Sequence, residues 1–163
     1  MRSLTTSDID HALINATKGE IKAITHPRDF AGTPWAELDF YGWRDPKIER
    51  RGYLVAEQGD GLVAVLLTTQ TGGAGTRRKA MCTVCRAVDD GSNVALFAAR
   101  RSGPAGRKGD TVGTYVCAGL DCSAQLRFPT RRAGRTLLAD GHVDDDARAA
   151  AMLERLGAFL ASV

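Results

Sequence analysis

Apolar positions recur along the chain with two periods. Ile9, Leu13 and Ala16 follow Ser7-Asp8-Ile9-Asp10 at helical spacing, and Ala12 lies beside them. Ser7 is the expected cap, with Asp8 and Asp10 at the positive end of the helix dipole. This helix either frays at Gly19 or continues through Ile21 and Ile24. It ends at His26-Pro27, because a residue before proline avoids the helical region. Residues 27–52 read as an irregular connection holding both tryptophans, Trp35 and Trp43. Such aromatic density predicts a plug packed over a sheet, with a recognition surface as the alternative. The pattern then changes. Tyr53–Glu57 and Leu62–Thr68 read as two strands joined at Gly59-Asp60-Gly61, whose residues tolerate positive φ. The near-continuous apolar run of the second strand fits burial on both faces. A second hairpin is expected from strands at Asn93–Arg100 and Thr111–Cys117, with a loop over Ser102–Asp110. A short helix is expected to start near Cys122 and to stop before Pro129. Residues 130–142 read as loose and basic. Asp144-Asp145-Asp146 opens a terminal helix with Ala149, Met152, Leu153, Leu156, Phe159 and Leu160 on one face.

Four cysteines fall within this pattern at revealing places. Cys82 and Cys85 are separated by two residues, Cys117 and Cys122 by four, and the pairs by thirty-one. A two-residue spacer lets a tight turn aim two sulfurs at one ion, and a four-residue spacer across a helix start does the same from the other side. The intervening stretch suits a hairpin with a loop. The order knuckle, hairpin, helix is that of a treble clef, and four sulfurs leave no open coordination position, so one structural Zn²⁺ is expected. Four unrelated thiols, an iron–sulfur cluster and redox chemistry at Cys82 and Cys85 are the competing readings.

Composition narrows the setting. At 163 residues, with 44% apolar and 25% charged residues, the chain can bury a core. The opening MRSLTTSDID lacks the apolar stretch and cleavage site of a secretory signal, and no run is long enough to span a bilayer. A cytoplasmic protein without a membrane partner is expected. In that compartment, paired cysteines are more often metal ligands than disulfides. The net charge of +3 is uneven: residues 77–135 hold twelve basic and four acidic groups, a net +8. That concentration suits an anionic partner, and a solvated basic surface is the plainer reading.

Signs of an enzyme are sparse. His11, His26 and His142 have no metal-ligand spacing and no accompanying nucleophile motif. The glycine-rich 71–76 lacks the Lys-Ser/Thr ending of a phosphate-binding loop. Asp39 and Asp45 near the tryptophans are the one carboxylate pair to watch, with local turn hydrogen bonds as the simpler role. No catalytic residue and no small-molecule substrate are expected.

A resemblance extends this reading. Met81-Cys82-Thr83-Val84-Cys85, the stretch from Ala95 through Arg100, Arg107 and Lys108 to Gly113-Thr114-Tyr115-Val116-Cys117, and Cys122 resemble the C-terminal treble-clef zinc finger of the FusB-type elongation-factor-G-binding proteins. Asn15-Ala16-Thr17-Lys18-Gly19-Glu20 and the run from Leu38 to Pro46 look like the short, single-domain actinobacterial members. The chain differs from the resistance proteins in having one helix and a hairpin in place of a four-helix N-terminal domain. It also differs from the short members in having Ser123-Ala124, not an aromatic and a glycine, after its last cysteine. The resemblance implies a translation-associated, non-enzymatic protein that binds elongation factor G and helps free it from ribosomes stalled by fusidic acid. By position, Phe97, Arg100, Arg101, Arg107, Lys108 and Tyr115 would form the contact surface, although Phe97 and Tyr115 equally suit hairpin core. The alternative is a zinc-stabilised module for ribosomal RNA or the ribosome, binding through phosphate contacts and stacking.

The expected architecture is therefore α+β: an N-terminal helix, antiparallel β-hairpins, a treble-clef zinc finger and a C-terminal helix. Residues 1–76 would hold the helix, aromatic loop and first hairpin. Residues 77–163 would hold the finger and last helix, the two packed as one compact unit.

Overall fold

The computed structural model describes residues 1–69, 80–89, 93–128, 135–136 and 144–163. The glycine-rich stretch 71–76, the basic residues 77–79, 131 and 132, and His142 lie outside the described residues, as does most of 130–142.

The chain starts with two short helices where one was expected. Helix α1 spans Thr6–Ala12, and Thr5, not Ser7, caps it: the Thr5 hydroxyl accepts from the Asp8 N–H while the Asp8 carboxylate accepts from the Thr5 N–H. Helix α2, Lys18–Lys22, repeats the same box with Thr17 and Glu20. The break has a physical cause. Leu13 bridges Ala64, and the Ile14 N–H donates to the Ala64 carbonyl. Next to it the buried Asn15 amide exchanges hydrogen bonds of 3.0 and 2.8 Å with Leu66 and donates to the Arg100 carbonyl at 2.9 Å. These sheet contacts outweigh continuation of the helix.

Two single 3-10 turns, Phe30–Gly32 and Trp35–Glu37, lead to strand β1, Tyr41–Arg44. The expected irregular connection over 27–52 therefore contains a strand. The hairpin of β2 (Arg51–Gln58) and β3 (Gly61–Thr69) follows, with Gly59 at φ +56° in its turn. Two-residue strands β4 (Ala80–Met81) and β5 (Val88–Asp89) flank the first cysteine pair. Strand β6 (Val94–Arg100), helix α3 (Gly103–Arg107) and strand β7 (Thr111–Cys117) form the second hairpin. The expected loop over 102–110 is thus partly helical. Glycine is required inside α3, because a Cβ on Gly106 would lie 1.6 Å from the Arg101 carbonyl oxygen. Helix α4 (Cys122–Arg127), strand β8 (Arg135–Thr136) and helix α5 (Asp145–Ser162) complete the order.

The hairpins join into one antiparallel five-stranded sheet, ordered β1-β2-β3-β6-β7, through the pairing of Leu67–Thr69 with Phe97–Ala99. Strands β4, β5 and β8 make a separate small sheet. Alternation sends side chains of the large sheet to two cores. One face carries Leu54, Ala56, Val65, Leu67, Phe97 and Ala99 against α5 and three of the cysteines. The other carries Tyr53, Val55, Ala64 and Leu66 against α1 and the aromatic segment. There Trp43 stacks on Tyr53 at 4.5 Å and on Tyr41 at 5.2 Å. Helix α1 and the aromatic residues stop at β3. Over β6 and β7, among the described residues, Asn15 and Glu20 reach that second face at Arg100, and Leu96 and Tyr115 are 51% and 48% exposed. Among the described residues, no helix is long and apolar enough to cross a membrane.

Candidate metal centre

Cys82 and Cys85 lie on the turn between β4 and β5. The Cys82 N–H donates to the Ala87 carbonyl at 2.9 Å, and the Arg86 N–H to the Cys82 carbonyl at 2.9 Å. Arg86 takes a positive φ of 61°, which closes the turn. The Cys85 N–H points at the Cys82 Sγ, 3.4 Å away. Cys117 ends β7, and Cys122 opens α4. Between them the chain reverses at Leu120, which has φ 59° and donates to the Cys117 carbonyl at 2.8 Å.

These turns bring all four Sγ atoms within 4.8 Å of one another. The Cys82–Cys122 pair is 3.7 Å apart and the Cys85–Cys117 pair 3.5 Å. A disulfide would need ~2.05 Å, and all four cysteines are free thiols. Zinc bound at ~2.3 Å by four sulfurs sets a tetrahedral edge of about 3.8 Å. The observed separations match that edge, so the cluster fits one metal ion. The four thiols act strongly on one another. Hydrogen bonds from the Cys117, Cys122 and Cys82 thiols pull the Cys85 thiol far down. Cys122 is pushed well up by the Cys117, Cys82 and Cys85 thiols and by burial. Four thiolates so close together cannot coexist without a cation to hold them.

Leu120 ties this centre to the sheet. It is fully buried, and a Cβ on Gly42 would come within 2.2 Å of its carbonyl oxygen. A Cβ on Gly52 would meet its Cδ1 at 2.3 Å. Bare backbone on β1 and β2 is therefore what lets the second cysteine turn sit down. The first turn is held to the hairpin, since the Thr83 N–H donates to the Tyr115 carbonyl at 2.7 Å.

The residues expected at a partner surface divide. Phe97 is 0% exposed, in the core beneath the Arg44 guanidinium, so its ring is not available to a partner. Arg100 donates to Glu20 at 2.6 Å and to the Asn15 carbonyl at 3.1 Å. Burial acts to raise the Glu20 pKa, but hydrogen bonds from Thr17 and Arg100 outweigh it and hold the group below the usual carboxylate range. Arg101 pairs with Asp110 at 3.3 Å and donates to the Ser162 carbonyl. Arg107 and Lys108 are exposed at the end of α3, and Tyr115 is half exposed. Sequence reasoning passed over Leu96, which pairs directly with Tyr115 across the strands, and Met81 at the knuckle, 36% exposed. With Phe97 inside, the alternation of β6 puts Leu96 outside.

The two carboxylates near the tryptophans do not converge. Asp39 binds Arg127 at 2.7 Å and Ser123 at 3.0 Å, facing a cleft of about 520 Å³ that Glu37, Glu57 and Leu153 also line. Asp45 is 2% exposed and accepts from Thr25, Lys47, Ile48 and Tyr53. They lie on either side of β1 and share no hydrogen-bond partner among the described residues.

The family model described as the FBP C-terminal treble-clef zinc-finger matches residues 8–163. No curated protein and no solved structure matches the chain. The sulfur geometry, the helix starting at Cys122 and a match over nearly the whole length agree: this chain belongs to the FBP C-terminal treble-clef zinc-finger family, the C-terminal domain family of FusB-type proteins.

Proposed function

We propose that this protein is a non-enzymatic, zinc-stabilised binding module of the cytoplasm that engages elongation factor G and aids its release from stalled ribosomes. Its family is a zinc-finger binding domain, not a known enzyme family. The observation that carries the reading is the Leu96–Tyr115 pair, two large side chains about half exposed on the second face of the sheet. The knuckle N–H of Thr83 holds the backbone beneath Tyr115, so the metal centre braces the surface. Exposed aromatic and aliphatic residues on a rigid support are the usual anchors of a protein interface. Met81 extends the apolar surface at the knuckle, and Arg107 and Lys108 supply positive charge at the far end of the hairpin. Residues 1–76 and 77–163 act as one unit in this reading, supported by the β3–β6 pairing and the Glu20–Arg100 ion pair.

The ribosomal-RNA reading has less support. Among the described residues, Arg100, Arg101 and Arg127 are engaged by Glu20, Asp110, and Asp39 with Asp146, so these three cations are already paired within the fold.

Calorimetry with purified elongation factor G tests the proposal. Wild type should bind, and Leu96→Asp and Tyr115→Asp should abolish binding with zinc content unchanged. No binding at concentrations on the order of tens of micromolar would sink it. Binding to ribosomal RNA that falls steeply with salt, without binding to the factor, would favour the nucleic-acid reading.

A further inference from the structure

Two arginines from outside the finger hold the backbone of its cysteine turns. Arg155, on α5, donates from Nε to the Val84 carbonyl at 2.7 Å. Arg44, at the end of β1, donates from Nη1 to the Ala118 carbonyl at 3.4 Å. Val84 precedes Cys85, and Ala118 follows Cys117, so each metal-binding turn is held by one guanidinium.

The Arg155 contact has a direct line to a sulfur. The carbonyl it binds and the Cys85 N–H belong to one peptide unit, and that N–H points at the Cys82 Sγ from 3.4 Å. Polarising the carbonyl makes the N–H a better donor, and a donor to a thiolate stabilises the thiolate. Arg155 is placed for this by its neighbours Met152 and Leu156, both packed in the core that contains Cys82, Cys117 and Cys122.

Arg44 poses a problem that a charged metal centre would solve. Its guanidinium lies 5.1 Å from the Phe97 ring centroid, its Nε is buried without a hydrogen-bond partner, and burial works against its charge, which the Glu49 carboxylate only partly offsets. A half-buried cation of this kind is stabilised further by a nearby anion. Four thiolates around Zn²⁺ carry a formal charge of −2, and the two arginines carry the opposite charge.

We propose that Arg155 and Arg44 are positioning residues of the zinc centre, compensating its negative charge and bracing its two turns. Metal retention then depends on the docking of α5 and β1 against the finger, and is not a property of the finger alone. Outer partners of metal ligands commonly change affinity by about 10- to 100-fold.

The test is competition for zinc between the full chain and a chromophoric chelator, with far-UV circular dichroism as a check on folding. Arg155→Met and Arg44→Met keep the apolar stem and remove the charge, and each should weaken zinc binding by roughly 10-fold or more. Arg155→Lys and Arg44→Lys should restore most of that loss. Arg148→Gln, on the same helix but paired with Asp145, should leave zinc affinity unchanged. Wild-type affinity in both folded methionine variants would overturn the proposal. So would lysine variants that lose as much as the methionine ones, since packing and not charge would then be responsible. If the methionine variants do not fold, the lysine variants decide: retention within about 3-fold supports the proposal, and a loss of 10-fold or more overturns it.

Discussion

Replacing Leu120 by alanine should be among the most damaging single changes outside the cysteines. The side chain is fully buried, with bare backbone at Gly42 and Gly52 against it, and belongs to the core that contains Cys82, Cys117 and Cys122. Truncating a buried leucine costs about 2–5 kcal/mol, depending on how far the site can collapse. Leu120 is held by rigid strand backbone and a cysteine turn, so little collapse is available, and about 3 kcal/mol is expected. For a chain of this size that is a loss of about 6–12 °C in Tm. The backbone adds a second, sharper expectation. At φ 59° any L residue pays about 1–2 kcal/mol that glycine does not. Leu120→Gly makes a larger cavity and frees the unfolded chain by roughly 1 kcal/mol, yet it relieves that strain. The two variants should therefore be equally stable within about 1 kcal/mol. Urea unfolding followed by tryptophan fluorescence, at fixed free zinc, measures both. A loss below about 0.5 kcal/mol in Leu120→Ala would refute the packing argument. A glycine variant more than about 1 kcal/mol below the alanine one would refute the strain argument.

Two further outcomes are expected. Asn15→Ala strands the Leu66 N–H and carbonyl and the Arg100 carbonyl, and should cost about 2–3 kcal/mol in denaturant unfolding, whereas an exposed asparagine would cost almost nothing. His26 is packed on Trp43 and Phe30, and burial lowers its pKa below the ordinary 6.5. Below pH 6.5 the unfolded chain binds the proton more readily, so the His26 contribution is full above that pH and lost as pH falls towards the folded value. Unfolding curves between pH 7.5 and 5.5 should therefore show a steeper acid-side loss in wild type than in His26→Gln, and parallel curves would contradict the assignment.

The features legible in sequence were those whose causes are local. Leu62–Thr68 reads as a buried strand because its neighbours along the chain are apolar and Gly59-Asp60 turns the chain before it. The cysteine spacing was legible because coordination geometry constrains short spacers directly. The features that were not legible have causes far along the chain. Tyr41–Arg44 becomes a strand by pairing with Gly52–Val55, and Gly42 is bare because Leu120, 78 positions later, passes over it. The helix breaks at Asn15 because its amide meets Leu66 and Arg100, 51 and 85 positions away. On β6, alternation puts Leu96 and Phe97 on opposite faces of the sheet. Which of them is inside depends on α5 and Arg44, which a single strand does not reveal.

Metal stoichiometry is the most direct test of the central claim that one zinc ion, held by Cys82, Cys85, Cys117 and Cys122, organises this fold. Protein purified without chelator and measured by plasma mass spectrometry should carry about one zinc per chain, and cobalt substitution should give the intense thiolate charge-transfer band of a four-sulfur site. Cys117→Ser should lose the metal and unfold at least the finger. Wild-type protein that folds fully with no metal, or a Cys117→Ser variant that keeps one zinc and the wild-type cobalt spectrum, would contradict the account.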